Sequence, residues 1–172
     1  SGIGRVIAES FRDEGAVVTI CDIDEAALST VEGMSTAVVD VSDRAAVSAF
    51  MAASIAEMDG LDCLVNNAGI AGPTGNVEDI APDGWDDTLT VCLTSQFNTT
   101  RGAVTALKAS ENGSIINLSS LAGRVGFALR APYAAAKWGV IGFTKSLSIE
   151  LGGDGIRCNA ILPGLVAGDR QR

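Results

Sequence analysis

Ala16-Val17-Val18-Thr19-Ile20-Cys21, closed by Asp22, is a short apolar and β-branched run. That is the pattern of a strand buried on both faces. Thr36 to Val39, Leu61 to Val65, Ser114 to Leu118 and Ile156 to Leu162 are runs of the same kind. Stretches at helical spacing separate them. One helix opens at Gly2-Ile3-Gly4 and runs through Val6, Ile7 and Phe11. Asp43 to Met58 sets Val47, Phe50, Met51 and Ile55 on one face, with the Asp43 charge in the first turn, where it suits the helix dipole. Trp85 to Leu107 and Tyr133 to Leu151 are the two longest helical segments. Repeated strand–helix–strand units predict an α/β fold, a parallel sheet covered by helices on both faces. Gly/Asn/Pro clusters fall only between elements, at Asn66 to Asn76 and Gly152 to Gly155. With no internal repeat and no linker, residues 1–172 read as a single domain.

A domain of 172 residues buries roughly 70% of the surface its unfolded chain exposes. Apolar residues at 47% and charged residues at 19% give a globular composition. Twelve basic and 21 acidic side chains leave a net charge of −9, which argues against a nucleic-acid groove or an anionic membrane surface as the main partner. Histidine is absent, which excludes Ser-His-Asp and Cys-His catalysis within these residues, along with most zinc chemistry. No metal site is expected. Cys21, Cys63, Cys92 and Cys158 form no Cys-x-x-Cys pair, and three of the four stand in strand-like runs. Free buried thiols and a reducing, cytoplasmic compartment fit best. No apolar run approaches the roughly 20 residues of a membrane span. The chain begins Ser1-Gly2-Ile3-Gly4, with no initiator Met and no signal peptide, and reads as starting inside a motif.

Four short motifs carry chemistry. Glycines at a helix start let backbone N–H groups approach a pyrophosphate, although Gly2-x-Gly4 alone is equally a tight turn. Asp22 ends a strand 18 positions after Gly4, near the spacing at which an acid meets the ribose hydroxyls of NAD; Asp24 reads as the cap of a following helix. Asn66-Asn67-Ala68-Gly69 follows a strand directly. Its two amides can touch a sugar or support a neighbouring strand, or the run is an ordinary Asn-Gly-type turn. Ser119-Ser120 ends another strand, and Tyr133 and Lys137, four apart, share a helix face. An ammonium beside a phenol favours the phenolate and prepares it for acid–base work. Taken alone, that pair is an unremarkable exposed helix face.

Together these residues resemble the short-chain dehydrogenase/reductase family, from Ser1 to about Gly168. Ser-Gly-Ile-Gly is similar to the end of the family's glycine-rich loop. Asp40-Val41 is similar to its adenine-contacting pair, and Asn66-Asn67-Ala68-Gly69 to the hallmark after its fourth strand. Ser120, 13 positions before Tyr133, and Tyr133-Ala134-Ala135-Ala136-Lys137 match its active-site spacing. Asn159-Ala160-Ile161-Leu162-Pro163-Gly164 resembles its Pro-Gly loop. The resemblance implies a Rossmann-like doubly wound sheet in three α/β/α layers. It implies hydride transfer between a nicotinamide and a small-molecule alcohol or ketone. Tyr133 becomes the acid/base, Lys137 its neighbour and a ribose ligand, and Ser120 the holder of the substrate oxygen. The implied cofactor contacts are Gly2, Ile3, Gly4, Asp22, Asp40, Val41, Asn66, Ala68, Gly69, Tyr133, Lys137, Pro163, Gly164 and Val166. Asp22 selects NAD over NADP, and Ser1 stands where NADP-preferring relatives carry a basic residue. The long helices of related enzymes pair into a four-helix interface, which implies a homo-oligomer, a tetramer or dimer.

The resemblance departs at three points. The family's opening strand, central to its sheet, and its first loop glycine have no counterpart, and the C-terminal substrate region is likewise missing, so the chain reads as part of a protein of about 250 residues. Cys92 stands where the family has an Asn that completes its catalytic set. Gly168 stands where a Thr usually meets the carboxamide. A thiol is a weak donor and a weak acceptor, so the reading expects Cys92 to fall short of an amide's paired hydrogen bonds. Two other functions compete with an NAD-dependent oxidoreductase: a catalytically weakened dinucleotide-binding scaffold or regulator, and a lyase or epimerase of the wider superfamily. Phe127, Leu129 and Trp138 point to an apolar or mixed pocket, with Trp138 equally placed to pack in an interface.

Overall fold

The computed structural model describes residues 2–166; the readings at Ser1 and Gly168 lie outside them. Helix α1 (Gly2–Asp13) leads to β1 (Thr19–Asp22), the short α2 (Glu25–Leu28), β2 (Ser35–Val38), α3 (Arg44–Glu57) and β3 (Cys63–Asn66). Then follow α4 (Pro82–Leu89), a π-helical segment (Thr90–Thr94), α5 (Ser95–Ala109), β4 (Ser114–Leu118), α6 (Ala131–Gly152) and β5 (Arg157–Ile161). All strand pairings are parallel, in the registers Asp22↔Val38, Asn66↔Asn117 and Asn117↔Ala160.

The strands form two parallel sheets, ordered β1-β2 and β3-β4-β5, rather than one. No strand among the described residues lies between β1 and β3. The sequence reading expected the family's central opening strand to have no counterpart, and this division agrees with it. One apolar core joins the two halves. Val39 beyond β2, Val47 and Met51 of α3, Leu64 of β3, Ala103 and Leu107 of α5, Ile115 of β4 and Leu147 and Leu151 of α6 form a single cluster. Phe50 and Ile55 pack against it, so the predicted face of α3 is the buried one. Asp43 is the N-cap rather than a first-turn residue, its carboxylate accepting from the Ala45 and Ala46 N–H groups. Asp24 caps α2 through the Ala27 N–H, as its position after β1 suggested.

The predicted helix Trp85 to Leu107 is interrupted at Thr90–Thr94, where the α-helical bonding gives way to a wider π turn. Hydrophobic spacing does not reveal this, because the few apolar residues before the turn, in Trp85–Leu89, are too short a stretch to show a shift of phase. A second feature hidden from periodicity is a buried polar brace. Asn66 Nδ2 donates to Thr100 Oγ1 and to Asn117 Oδ1, Thr99 Oγ1 donates to Asn66 Oδ1, and Asn117 Nδ2 donates to Thr144 Oγ1. This chain ties α5, β3, β4 and α6 together.

Candidate active site

Parallel strands gather their carboxyl ends on one edge, and in open α/β sheets ligands bind beyond that edge. The loops that follow β3, β4 and β5 meet there. Ser119 N–H donates to Ile161 O at 2.8 Å and Leu121 N–H donates to Pro163 O at 3.0 Å. The β4–β5 ladder therefore continues past both strands and sets Ser120 beside the Pro163-Gly164 loop. Ser120 caps the short turn Leu121–Gly123, its Oγ accepting from the Ala122 N–H at 3.2 Å.

Tyr133 and Lys137 stand one turn apart near the start of α6, with Nζ 5.7 Å from the centroid of the Tyr133 ring. Tyr133 is half-buried and Lys137 only 4% exposed. A buried ammonium needs partners, and Nζ donates to Leu118 O at the end of β4, at 2.8 Å. Ser119 Oγ donates back to Lys137 O at 2.8 Å. Gly123 is the close-approach residue of this corner, since a Cβ there would overlap Ser119 Oγ and the Lys137 carbonyl.

The loop after β3 closes the other side. A Cβ on Gly69 would sit 3.5 Å from Lys137 Nζ and 3.6 Å from Cys92 Sγ. Cys92 is fully buried, and its thiol pairs twice with Ile70: the Ile70 N–H donates to Sγ and the S–H donates to Ile70 O, each at 3.3 Å. The thiol thus donates and accepts on one atom, both times with the backbone of Ile70 and both times through sulfur, a weak donor and a weak acceptor. Farther along the loop, Arg130 Nη1 donates to Ala71 O and Gly72 O, and Gly75 N–H donates to Leu129 O. Leu129 takes a φ of 62°, a strained conformation for a branched side chain.

The remaining predicted contacts divide. At α1 a Cβ on Gly4 would overlap the Asn67 side-chain amide, so the helix start abuts the loop after β3. Gly2, at φ 60°, and the half-buried Ile3 precede it in the helix start. Asp22 and Asp40 close the ends of β1 and β2, where Val39 N–H donates to Asp22 O. The Asp22 carboxylate accepts from the Asp24 N–H, and the Ser42 hydroxyl, then its N–H, holds the Asp40 carboxyl below its usual range. Val41 packs on the core. Asn66 is turned inward, its amide spent in the polar brace, whereas Ala68 and Gly69 lie in the loop itself. Val166 is exposed.

All four cysteines are free thiols; burial, with Asp22 adding to it, pushes Cys21 up to about 11. Among the described residues no His/Cys/Asp/Glu cluster could hold a metal ion, and no helix is long and apolar enough to cross a membrane. The loops after β4 and β5 carry an apolar rim of Leu121, Val125, Phe127, Leu129, Leu165 and Val166, each at least 45% exposed. Two open clefts lie away from it. One of about 260 Å³ is bounded by Val77, Ile80, Pro82, Trp85 and Ala131, and another of about 430 Å³ runs between α5 and α6 under the Phe97–Phe143 edge-to-face pair. Sequence reasoning missed Ile70, Gln96, Leu118 and Arg130. Two of these act through backbone atoms, which leave no residue signature.

The chain is similar to known proteins over nearly its whole length. Trans-4-hydroxycyclohexanecarboxylate dehydrogenase of Sinomonas cyclohexanicum is 44% identical over 168 residues, covering 96% of this chain. The chain spans 63% of that relative's length. D-beta-hydroxybutyrate dehydrogenase of Cupriavidus necator is 37% identical over 174 residues, covering 96% of this chain and 67% of its own. The crystal structure of an NAD+-bound xylitol dehydrogenase superimposes with a TM-score of 0.94 at 27% identity, over 99% of this chain and 69% of that one. The family model described as short chain dehydrogenase matches residues 1–172, and with parallel sheets, flanking helices and the Ser-Tyr-Lys corner all in hand, the chain belongs to the short chain dehydrogenase family.

Proposed function

We propose that this chain carries the catalytic corner of an NAD-dependent oxidoreductase that interconverts a secondary alcohol and its ketone. The observation that carries the reading is the corner itself: Ser120 at the end of β4, Tyr133 on the first turn of α6, and Lys137 held beside the Tyr133 ring by the Leu118 carbonyl. A nicotinamide dinucleotide, when bound, supplies or accepts the hydride. Its fit is supported by the glycine cradle at Gly2–Gly4, where a Cβ on Gly4 would strike Asn67, and by the acids closing β1 and β2. Asp22 supports NAD over NADP, because a carboxylate accepts from free ribose hydroxyls and repels a 2′-phosphate.

This chain's residues handle the proton. The Ser120 hydroxyl donates to the substrate oxygen and orients the carbinol carbon. In the oxidative direction the Tyr133 phenolate accepts the hydroxyl proton, and in the reductive direction the phenol returns it. The Lys137 ammonium stabilises negative charge on the phenol oxygen. The substrate is a small molecule with a secondary hydroxyl. Two of the three dehydrogenases named above are named for hydroxy carboxylates and the third for xylitol, and the apolar rim suits the carbon skeleton of a hydroxy carboxylate. A homo-oligomer built on α5 and α6, and a cytoplasmic setting, complete the proposal; the exposed Phe97–Phe143 groove supports the first and the four free thiols the second.

The test is steady-state turnover of the full-length protein with a panel of secondary alcohols, read at the reduced-nicotinamide absorbance band. Net formation of reduced cofactor is expected. Tyr133→Phe should abolish it while cofactor affinity, measured by calorimetry, changes little, because only the transferable proton is lost. Activity of Tyr133→Phe within a few-fold of the parent, against the ~10²–10⁴-fold expected for general acid–base loss, removes Tyr133 from this role. Cofactor binding without turnover favours the scaffold reading instead.

A further inference from the structure

The corner is supported from beneath by a residue that hydrophobic patterning does not explain. Gln96, the second residue of α5, is 1% exposed. Its Nε2 donates to Cys92 O at 3.2 Å and to Leu118 O at 3.4 Å, while its Oε1 is buried and meets no hydrogen-bond partner among the described residues. A buried acceptor left unsatisfied carries its full desolvation cost, which a Leu or Met in the same space would avoid. The amide's N–H groups therefore mark what the position does. Leu118 O is the same carbonyl that receives Lys137 Nζ.

We propose that Gln96 is a positioning residue for Lys137, acting through the shared Leu118 carbonyl and reaching back through Cys92 to the loop after β3. The proposal rests on the role given to Lys137 above. A path of hydrogen bonds, continued covalently through Cys92, connects Ile70, the Cys92 thiol, the Cys92 carbonyl, the Gln96 amide, the Leu118 carbonyl and Lys137 Nζ. A carbonyl offers two lone pairs. With Gln96 on one of them, Leu118 O is fixed in direction and shares its acceptor strength between two donors. Lys137 is then held at one side of the carbonyl, with its charge available to Tyr133. Without the amide, Nζ takes the whole carbonyl and draws away from the phenol. The π turn at Thr90–Thr94 contributes the geometry, since it contains Cys92 and ends two residues before Gln96; π-bulges inside helices are frequent at functional sites.

The experiment compares the full-length parent with Gln96→Met, which keeps length and apolar packing, and Gln96→Glu, which keeps shape and, when ionised, replaces both donors by acceptors. Two readouts are taken. The first is the side-chain ammonium resonance of Lys137 in cofactor-free protein labelled with ¹⁵N-lysine, assigned by loss of the signal in Lys137→Arg. Both Gln96 variants should move it and speed its exchange with water. The second is turnover: kcat should fall about ten-fold or more, with KM for substrate within about two-fold, as expected when a reacting group is displaced without loss of ground-state binding. An unchanged Lys137 resonance in whichever variant folds overturns the proposal, as does a kcat within about two-fold of the parent. A parent that binds no dinucleotide and turns over no alcohol defeats the functional reading alone, because the ammonium resonance still decides whether Gln96 positions Lys137.

Discussion

Asn66 Nδ2 donates to Asn117 Oδ1 at 2.9 Å, across the register pair where β3 meets β4, with both side chains buried. Asn117 also donates to Thr144 of α6, so one amide links two strands and a helix. Asn117→Ala should therefore destabilise the full-length protein by roughly 2–4 kcal/mol, the cost of a cavity together with donors and acceptors left unmatched. Urea denaturation measures it. A loss below about 0.5 kcal/mol, the range of ordinary surface changes, means the brace contributes no net stability.

The proposed preference for NAD rests on Asp22. The parent is expected to show higher kcat/KM with NAD than with NADP, and Asp22→Ser should narrow the gap by removing a charge that repels a 2′-phosphate. Equal or better kcat/KM with NADP in the parent contradicts the assignment.

Cys92 gives a finer test. Its bonds to Ile70 are made by sulfur, a weak donor and a weak acceptor. Cys92→Asn replaces them with amide bonds and should raise kcat with little change in cofactor affinity. The solvent deuterium isotope effect should shrink in parallel if proton exchange limits the rate. If kcat and isotope effect both stay where they were, the thiol already meets the requirement at this position, and the scaffold reading loses its main support.

The groove between α5 and α6 predicts association. Phe97 and Phe143 meet edge to face with ring centroids 6.4 Å apart, and Phe97 is 46% exposed. Light scattering at micromolar concentration should give a mass above that of one full-length chain, and Phe97→Glu should lower it. A monomer in the parent contradicts the proposal.

Legibility in the sequence followed the kind of signal each element carries. Ser114–Leu118 is a strand with the predicted bounds, because a central strand buried on both faces is apolar throughout. Thr19–Asp22 is shorter than the run Ala16–Cys21 that announced it, and Val17 is 77% exposed. Apolar residues outside a ladder look the same in sequence as those within it. Tyr133 and Lys137 were legible through spacing, since four residues on a helix always share a face. Gln96 was not, because a lone polar residue in a helical stretch is ordinarily solvated and only the fold brings the Leu118 carbonyl to it. Asn66 was read as touching a sugar or supporting a neighbouring strand, and strand alternation turns its side chain toward the second of these, into the core beside Asn117.

The π turn at Thr90–Thr94 has one more consequence, for how the gene can vary. Each residue of an α-helix advances the next by about 100°, so a one-residue surplus acts as a phase shifter between α4 and α5. It lets Trp85 face the cleft it shares with Val77, Ile80 and Pro82 while Cys92 and Gln96 face the interior. The two helices are thereby geared rather than rigidly coupled. Deleting a single codon within this turn would restore an unbroken α-helix and swing Trp85 around the axis by about that same angle, whereas exchanging one side chain for another of similar size leaves the gearing intact.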